Sequence, residues 1–438
     1  MRSLVVYIEQ RRVGTLFETD DLWAFEYDSA WASASDSFDL SPALPRAQLR
    51  HDDGGTNRPV QWYFDNLLPE ELLRSAIERE AGIKGDDAFA LLEYLGAESA
   101  GSLTLLPPSQ ELPKVGRLHP LSAPQLSERI DNLPRNTLVS NAPKRMSLAG
   151  AQHKLLVVVK GDQLFEPEGA TPSTHVLKPN HPDANTYPAS VFNEYVTMRL
   201  ASALDLQVPP VSLMYVPQPV YIVERFDRIV SNEDGGDVRR LHVIDACQLL
   251  NKARSFKHTG ATLETLARII DATTNKISTR LRLFSWLVFN VLTGNDDCHL
   301  KNLSFHVSAD AIALAPHYDL LSTGAYYTRA IASEKATWPN VKMAFALPGA
   351  THFEQVTPAT ILEAAAVLGV PERIARRILS AMVRKFLPAF HTLTAEAEAE
   401  AAEPALPENA RRFVGAQAHL ARVLDKITYH DMLQRLRE

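Results

Sequence analysis

From near residue 240 the hydrophobic pattern of this chain turns to long helices, and that change limits the folds open to it. Ahead of it, short β-branched and apolar runs alternate with polar residues and stop at turn formers, the period-2 signature of strands. Beyond it, apolar residues recur three and four apart over long stretches, the signature of helices. The expected architecture is therefore α/β first and all-α afterwards.

Within the first half, residues 4–28 read as a hairpin or meander with turn residues at Gly14 and at Asp20–Asp21. Over residues 59–83, Pro69 suits a first helical position, and Leu72, Leu73 and Ile77 follow at helical spacing. A second helix is expected over DDAFALLEYLG, closing at Gly96. Residues 107–146 carry Pro107, Pro108, Pro113, Pro120, Pro124, Pro134 and Pro143, which suits a connecting region with at most one short helix. From residue 147 the pattern is a glycine-containing turn, a hairpin bent at Lys160–Asp162, the strand HVLKP ended by Pro179, an amphipathic helix over 188–204, and the strand PVYIVERF. Helices are then expected over 245–253, 261–274, 277–294, 358–369 and 371–387. The Ala/Glu-rich run 394–410 reads as a solvated helix or a linker, and a basic amphipathic helix covers roughly 409–437.

Composition removes several function classes. A chain of 438 residues buries a core without disulfides or structural metal, and its two cysteines, Cys247 and Cys298, form no CxxC pair. The longest apolar stretch, LFSWLVFNVL, is too short to span a bilayer, and the apolar run at residues 4–8 is too short for a signal-peptide core. A net charge of −7 makes this chain a poor nucleic-acid binder on its own, although a basic partner would supply that function. These readings point to a cytoplasmic protein with no membrane association.

The strongest chemical signal is GNDDCHLKNLSF, after the apolar helix and before a strand. Asp297 and Asn302 stand in the spacing D-x4-N, which in protein-kinase catalytic loops places a proton-accepting carboxylate beside a Mg²⁺-binding amide. Taken alone, the same spacing fits an acidic loop capping a helix. Asp319, in PHYDLLS, follows Asn302 by seventeen residues and offers a further oxygen ligand for the metal. Only its aspartate matches D-F-G. Lys178 lies on the strand HVLKP, where a kinase holds the nucleotide's α/β-phosphates, and Glu194 on the next helix would orient it. SLAGAQHK has one glycine and is a plain turn by itself, but it stands where a phosphate-covering loop belongs, with Lys154 at its end. VERFDR occupies the position of a hinge.

In this order the motifs resemble the HipA family of serine/threonine kinase toxins, over nearly the whole chain. FDNLLPE and LLEYLGAESAGSLTLLP look like its N-terminal domain, and SLAGAQHK, THVLKP, NEY, VERFDR, NDDCHLKN and APHYDLLS like its kinase core. The resemblance implies a two-lobed protein-kinase-like fold. Its parts would be an N-terminal β-rich subdomain over 1–106, a connection over 107–146, an α/β N-lobe segment over 147–226 and a helical C-terminal domain over 227–438. It implies ATP and Mg²⁺ as cofactors and Asp297 as the catalytic residue, with Asn302 and Asp319 as metal ligands. Ala149, Gly150, Ala151, Gln152, His153, Lys154, Lys178, Glu224, Arg225, Phe226, His299, Lys301, Asn302, Tyr318 and Asp319 would line the nucleotide site. Ser147 matches the family's autophosphorylated serine. The implied partners are a HipB-like helix-turn-helix antitoxin, operator DNA reached through it, and an aminoacyl-tRNA synthetase of the glutamyl type as substrate. His153, where relatives often carry glutamate, and the 394–410 run depart from the family pattern. A small-molecule phosphotransferase and a non-catalytic co-repressor are the rival readings.

Overall fold

A computed structural model describes residues 1–84, 86–140, 142–150, 152–231, 238–402 and 408–437. By packing these form two units. The first contains Met1–Lys178, Glu224–Phe256 and Ser304–Ala315; the second contains Pro179–Val223, Lys257–Leu303 and Pro316–Glu438. Among the described residues no helix is long and apolar enough to cross a membrane.

The first unit opens with the expected meander. Arg2–Ile8, Arg11–Thr19 and Leu22–Tyr27 pair antiparallel in sequence, Arg50–Asp52 extends one edge, and Leu103–Leu106 closes the other. Asp20 and Asp21 form the second turn at φ 52° and 64°, a left-handed conformation that aspartate tolerates. Gly14 is not a turn residue: it lies inside Arg11–Thr19, where an added Cβ would sit 2.3 Å from the Glu26 carbonyl oxygen and 2.6 Å from the Phe25 ring. A glycine there signals close approach of a neighbouring strand, a cue that composition cannot separate from a turn.

Pro69 likewise does not open a helix. It bridges to Gly150, and the helix Glu71–Ala81 begins two residues later with Leu72 exposed. The helix Ala88–Leu95 ends at Gly96 as expected, capped at its start by the Asp87 carboxylate. The proline-rich connection holds one helix, Ala123–Asp131, and one strand its composition does not signal, Gly116–Pro120. That strand is paired to Gln163–Gly169, which pairs with Leu155–Lys160, which pairs with His175–Pro179, all antiparallel. The bend at Gly161 (φ 60°) lies where the sequence places it. A small sheet of Val243–Asp245, Ser304–Val307 and Ile312–Leu314 completes the unit.

A buried ionic network ties these parts together. The Glu98 carboxylate, 0 % exposed, takes Lys144 at 2.8 Å, Arg228 at 2.9 Å and Arg225 at 3.4 Å. Asp227 takes Arg225 at 2.7 Å and Arg228 at 3.1 Å, and accepts the Gly101 N–H at 2.7 Å. Burial raises the cost of every charge here. The surrounding cations outweigh it for the two carboxylates, both held well below their ordinary range, while burial pushes Arg240 down to about 10.

In the second unit the helix Lys276–Thr293 is the central element, with Leu283, Phe284, Trp286, Leu287, Val288, Phe289 and Leu292 buried. Phe289 faces Phe386 of the long helix Glu372–Ala402, and Phe386 and Phe390 each meet Tyr429 edge-on at 5.0 Å. The acidic run is helical through Ala402; residues 403–407 lie outside the described residues. The C-terminal helical stretch runs from Arg411 to Leu436. The helix Ser190–Ala203 is enclosed on most sides rather than amphipathic, with Asn193 and Thr197 among its buried residues. The segment 245–253 yields only the short helix Ala246–Leu249, and the hairpin Lys342–Leu347 with Ala350–His352 falls in a region where helices were expected.

Candidate active site

The loop that carries Asp297 is built from the end of the central helix outward. Gly294 adopts φ 64° and its N–H returns to the Val291 and Asn290 carbonyls, so the chain leaves the helix at a fixed angle. Asn295 then reaches back, its amide nitrogen 2.7 Å from the Asn290 side-chain oxygen, and its own side-chain oxygen accepts the Asp297 N–H at 3.1 Å. The carbonyl of Asp297 accepts the His299 N–H at 2.8 Å and the Asn302 side-chain nitrogen at 3.1 Å. The loop is thus pinned by its main chain, while the Asp297 side chain is exposed. Because the Asn302 nitrogen is committed to Asp297, its side-chain oxygen is the atom left for a cation.

Asp296 differs from its neighbour. Its N–H goes to Thr323 Oγ1 at 2.8 Å and its carboxylate accepts from Tyr327 at 2.9 Å. Burial raises its pKa against those hydrogen bonds. Cys298 is buried, and burial pushes its thiol up, which keeps it inert.

Asp319 takes φ 59°, an uncommon left-handed conformation that aspartate tolerates, and the segment after it is fastened on two sides. Ser322 donates from Oγ to the Thr293 carbonyl at 2.5 Å, and Gly324 donates its N–H to Gly294 at 2.8 Å. Asn193 clasps the Ser322 backbone with both side-chain atoms, accepting its N–H at 2.8 Å and donating to its carbonyl at 2.9 Å. Glu194 is the next residue. The helix bearing Glu194 and the loop bearing Asp319 are therefore joined by a two-bond clasp. Tyr318 donates to the Lys301 carbonyl at 2.7 Å.

The sequence missed Asn193, Asn295 and Asp296 as positioning groups. It also missed His258, whose ring meets that of His299 edge-on at 4.9 Å. A lone histidine on a four-residue helix gives no sequence signal.

The other expected residues lie in the first unit. Lys178 is buried on its strand; Glu194 belongs to the second unit. Lys154 bonds the Ala149 carbonyl at 2.5 Å across Gly150, whose φ of 112° is a backbone conformation that residues with a side chain rarely adopt. Gln152 and His153 are half-buried beside it, and Ala151 lies outside the described residues. Ser147 is 1 % exposed, donating to the Leu67 carbonyl at 2.6 Å while its N–H goes to Glu98 at 2.7 Å. Glu224 is exposed, its pKa raised by partial burial, and Phe226 meets His306 edge-on at 5.9 Å. Arg225 keeps its side chain in the core: its guanidinium belongs to the Glu98–Asp227 network and its N–H goes to the Thr174 carbonyl.

A carboxylate and an amide on a helix-capped loop, followed by an aspartate at positive φ, are residue types in the order that kinase-like phosphoryl-transfer sites use. Residues 146–390 match the HipA-like C-terminal domain and residues 4–106 the HipA N-terminal domain; the chain belongs to the HipA family. The protein Y4mE of Sinorhizobium fredii, named as a kinase, is 35% identical over 74% of this chain and 78% of its own length. The serine/threonine-protein kinase toxin HipA of Shewanella oneidensis is 30% identical over 70% and 72% of the two chains. The solved complex of Shewanella oneidensis HipA, HipB and operator DNA contains a chain that superposes with a TM-score of 0.77 at 26% identity, covering 98% of both. This chain is a homologue of the family's serine/threonine kinase toxins, with a kinase-like fold.

Proposed function

We propose that the chain phosphorylates serine or threonine on a protein substrate at the expense of ATP, as the toxin of a toxin–antitoxin pair. The observation that carries this is the pinned Asp297–Asn302 loop beside the positive-φ Asp319. Asp297 is the exposed carboxylate, suited to accept the substrate hydroxyl proton. Oxygen donors of Asn302 and Asp319 fit Mg²⁺, a hard cation that, when bound with ATP, neutralises charge on the transferring phosphoryl group. Lys178, oriented by Glu194, would hold the α/β-phosphates, and the segment Ala149–Lys154 with Glu224, Phe226, His299, Lys301 and Tyr318 would line the nucleotide. The family's pattern supports a glutamyl-type aminoacyl-tRNA synthetase as substrate. It also supports a HipB-like helix-turn-helix antitoxin as partner, and repression of the shared operator by the complex, in the cytoplasm.

The test offers purified protein a glutamyl-type synthetase and, separately, small alcohols, with Mg²⁺-ATP. Phosphoserine or phosphothreonine on the protein is the expected product; transfer to alcohols alone would give the small-molecule reading. Asn302→Ala and Asp319→Ala are expected to weaken ATP binding measured with Mg²⁺ by about tenfold or more, and binding without metal far less. Equal losses under both conditions would remove both residues from the metal site.

Ser147 is assigned to self-inactivation on the same reading. Its hydroxyl is buried against Leu67, so phosphorylation requires residues 146–150 to leave their seat. The added charge of about −1.5 to −2 cannot return there without desolvation, which would hold the segment out. Mass spectrometry after incubation with Mg²⁺-ATP is expected to find phosphate on Ser147, and the modified fraction to bind ATP at least about tenfold more weakly. An active preparation without that phosphate, or unchanged affinity, would end the assignment.

A further inference from the structure

The geometry points to a transition-metal site, matched to Zn²⁺, formed by His258, Asp297 and His299, whose occupancy would take the base out of action. The inference rests on the reading of Asp297 as that base. A ligand atom from each of the three residues lies within 4.8 Å of the other two. A tetrahedral zinc ion with bonds of about 2.0–2.2 Å places its ligands roughly 3.4 Å apart, so closing the set needs shifts on the order of an ångström.

Two features make that closure inexpensive. Asp297 and His299 are already tied to each other by the 2.8 Å main-chain bond, and the His299 carbonyl accepts the Asn302 N–H at 3.0 Å, so both sit on the pinned loop. His258 is exposed on the four-residue helix Phe256–Thr259, and its ring already meets that of His299 edge-on at 4.9 Å. The ligand set decides which cation it suits. Two imidazole nitrogens and one carboxylate suit Zn²⁺, whereas Mg²⁺ takes oxygen ligands and retains its water. The site is thus chemically distinct from the Asn302 and Asp319 oxygens, although its carboxylate is the one the reaction requires. Three protein ligands leave a fourth position for water or a phosphate oxygen. A zinc-bound carboxylate is a weaker proton acceptor, because the metal already occupies its lone pair. Zn²⁺ would therefore inhibit without competing for the Mg²⁺ ligands, and excess Mg²⁺ would not reverse it.

The experiment uses the full chain and Zn²⁺ itself, with two independent readouts. Competition against a chromophoric zinc chelator measures binding without any reaction. Wild type is expected to withdraw one equivalent, and His258→Ala and His258→Gln to bind at least about tenfold more weakly, since each removes one of three ligands. Phosphoryl transfer measured at saturating Mg²⁺-ATP is expected to fall with Zn²⁺ in wild type, to recover on chelation, and to resist Zn²⁺ in both variants, each compared with its own rate without Zn²⁺. Equal Zn²⁺ binding by wild type and both variants would overturn the site. So would an active wild type that binds Zn²⁺ through His258 and keeps its full rate. A wild type that binds Zn²⁺ through His258 but transfers no phosphate under any condition would keep the site and defeat the kinase reading instead.

Discussion

Replacing Asp297 with asparagine is expected to lower phosphoryl transfer by roughly 10²–10⁴-fold while leaving ATP binding close to wild type. The substitution keeps the shape of the side chain and removes its capacity to take a proton. It also spares the loop, because His299 and Asn302 are held by the main-chain carbonyl of residue 297 and not by its carboxylate. Asp296→Asn is the control. That carboxylate accepts a hydrogen bond from Tyr327 in a half-buried setting, and an amide oxygen accepts the same bond. Its effect on rate is expected to stay within about tenfold. Steady-state transfer and nucleotide titration on the two variants decide the matter: a near-normal rate for Asp297→Asn, or a larger loss for Asp296→Asn, would move the base to another residue.

The second large effect concerns stability. Glu98→Gln is expected to destabilise the first unit by about 3–5 kcal/mol, because it takes the buried carboxylate from Lys144 and leaves Arg225 and Arg228 to share Asp227. The midpoint of thermal unfolding would fall by roughly 10 °C. Glu168→Gln, which breaks a half-exposed pair with His119, should shift it by no more than about 1 kcal/mol equivalent. The same network sets a pH dependence. Glu98 and Asp227 have folded pKa values below their ordinary 4.5 and 3.8. Their contribution is therefore complete above the ordinary carboxylate range and is lost as pH falls through the folded values. Thermal melts of wild type should decline below about pH 4, and Glu98→Gln should decline less steeply. A Glu98→Gln melt indistinguishable from wild type would show that the cluster contributes no net stability.

The site was legible where its signal is local. The D-x4-N spacing, the helix end at Gly96 and the bend at Gly161 each depend on neighbours within a few residues, and each lies where the sequence places it. What sequence reasoning missed is long-range. Glu98 and Arg228 are 130 positions apart, and nothing in either segment announces that four cations converge on one buried region. VERFDR thus gives no sign in sequence that the side chains of Arg225 and Arg228 are turned into the core. The strand Gly116–Pro120 hid for a different reason: an edge strand bonded on one side tolerates the prolines that otherwise argue for a loop. Gly14 misled in the opposite sense, since crowding and tight turning favour the same residue.

The Asn193 clasp has a pharmacological consequence. Both polar atoms of that side chain are committed to the backbone of Ser322, so the helix with Glu194 and the loop with Asp319 share one degree of freedom. A compound that binds by prying that helix from that loop would have to break two buried hydrogen bonds before gaining any contact of its own. Such a compound would give up roughly 1–3 kcal/mol of hydrogen bonding that one leaving the clasp closed would keep.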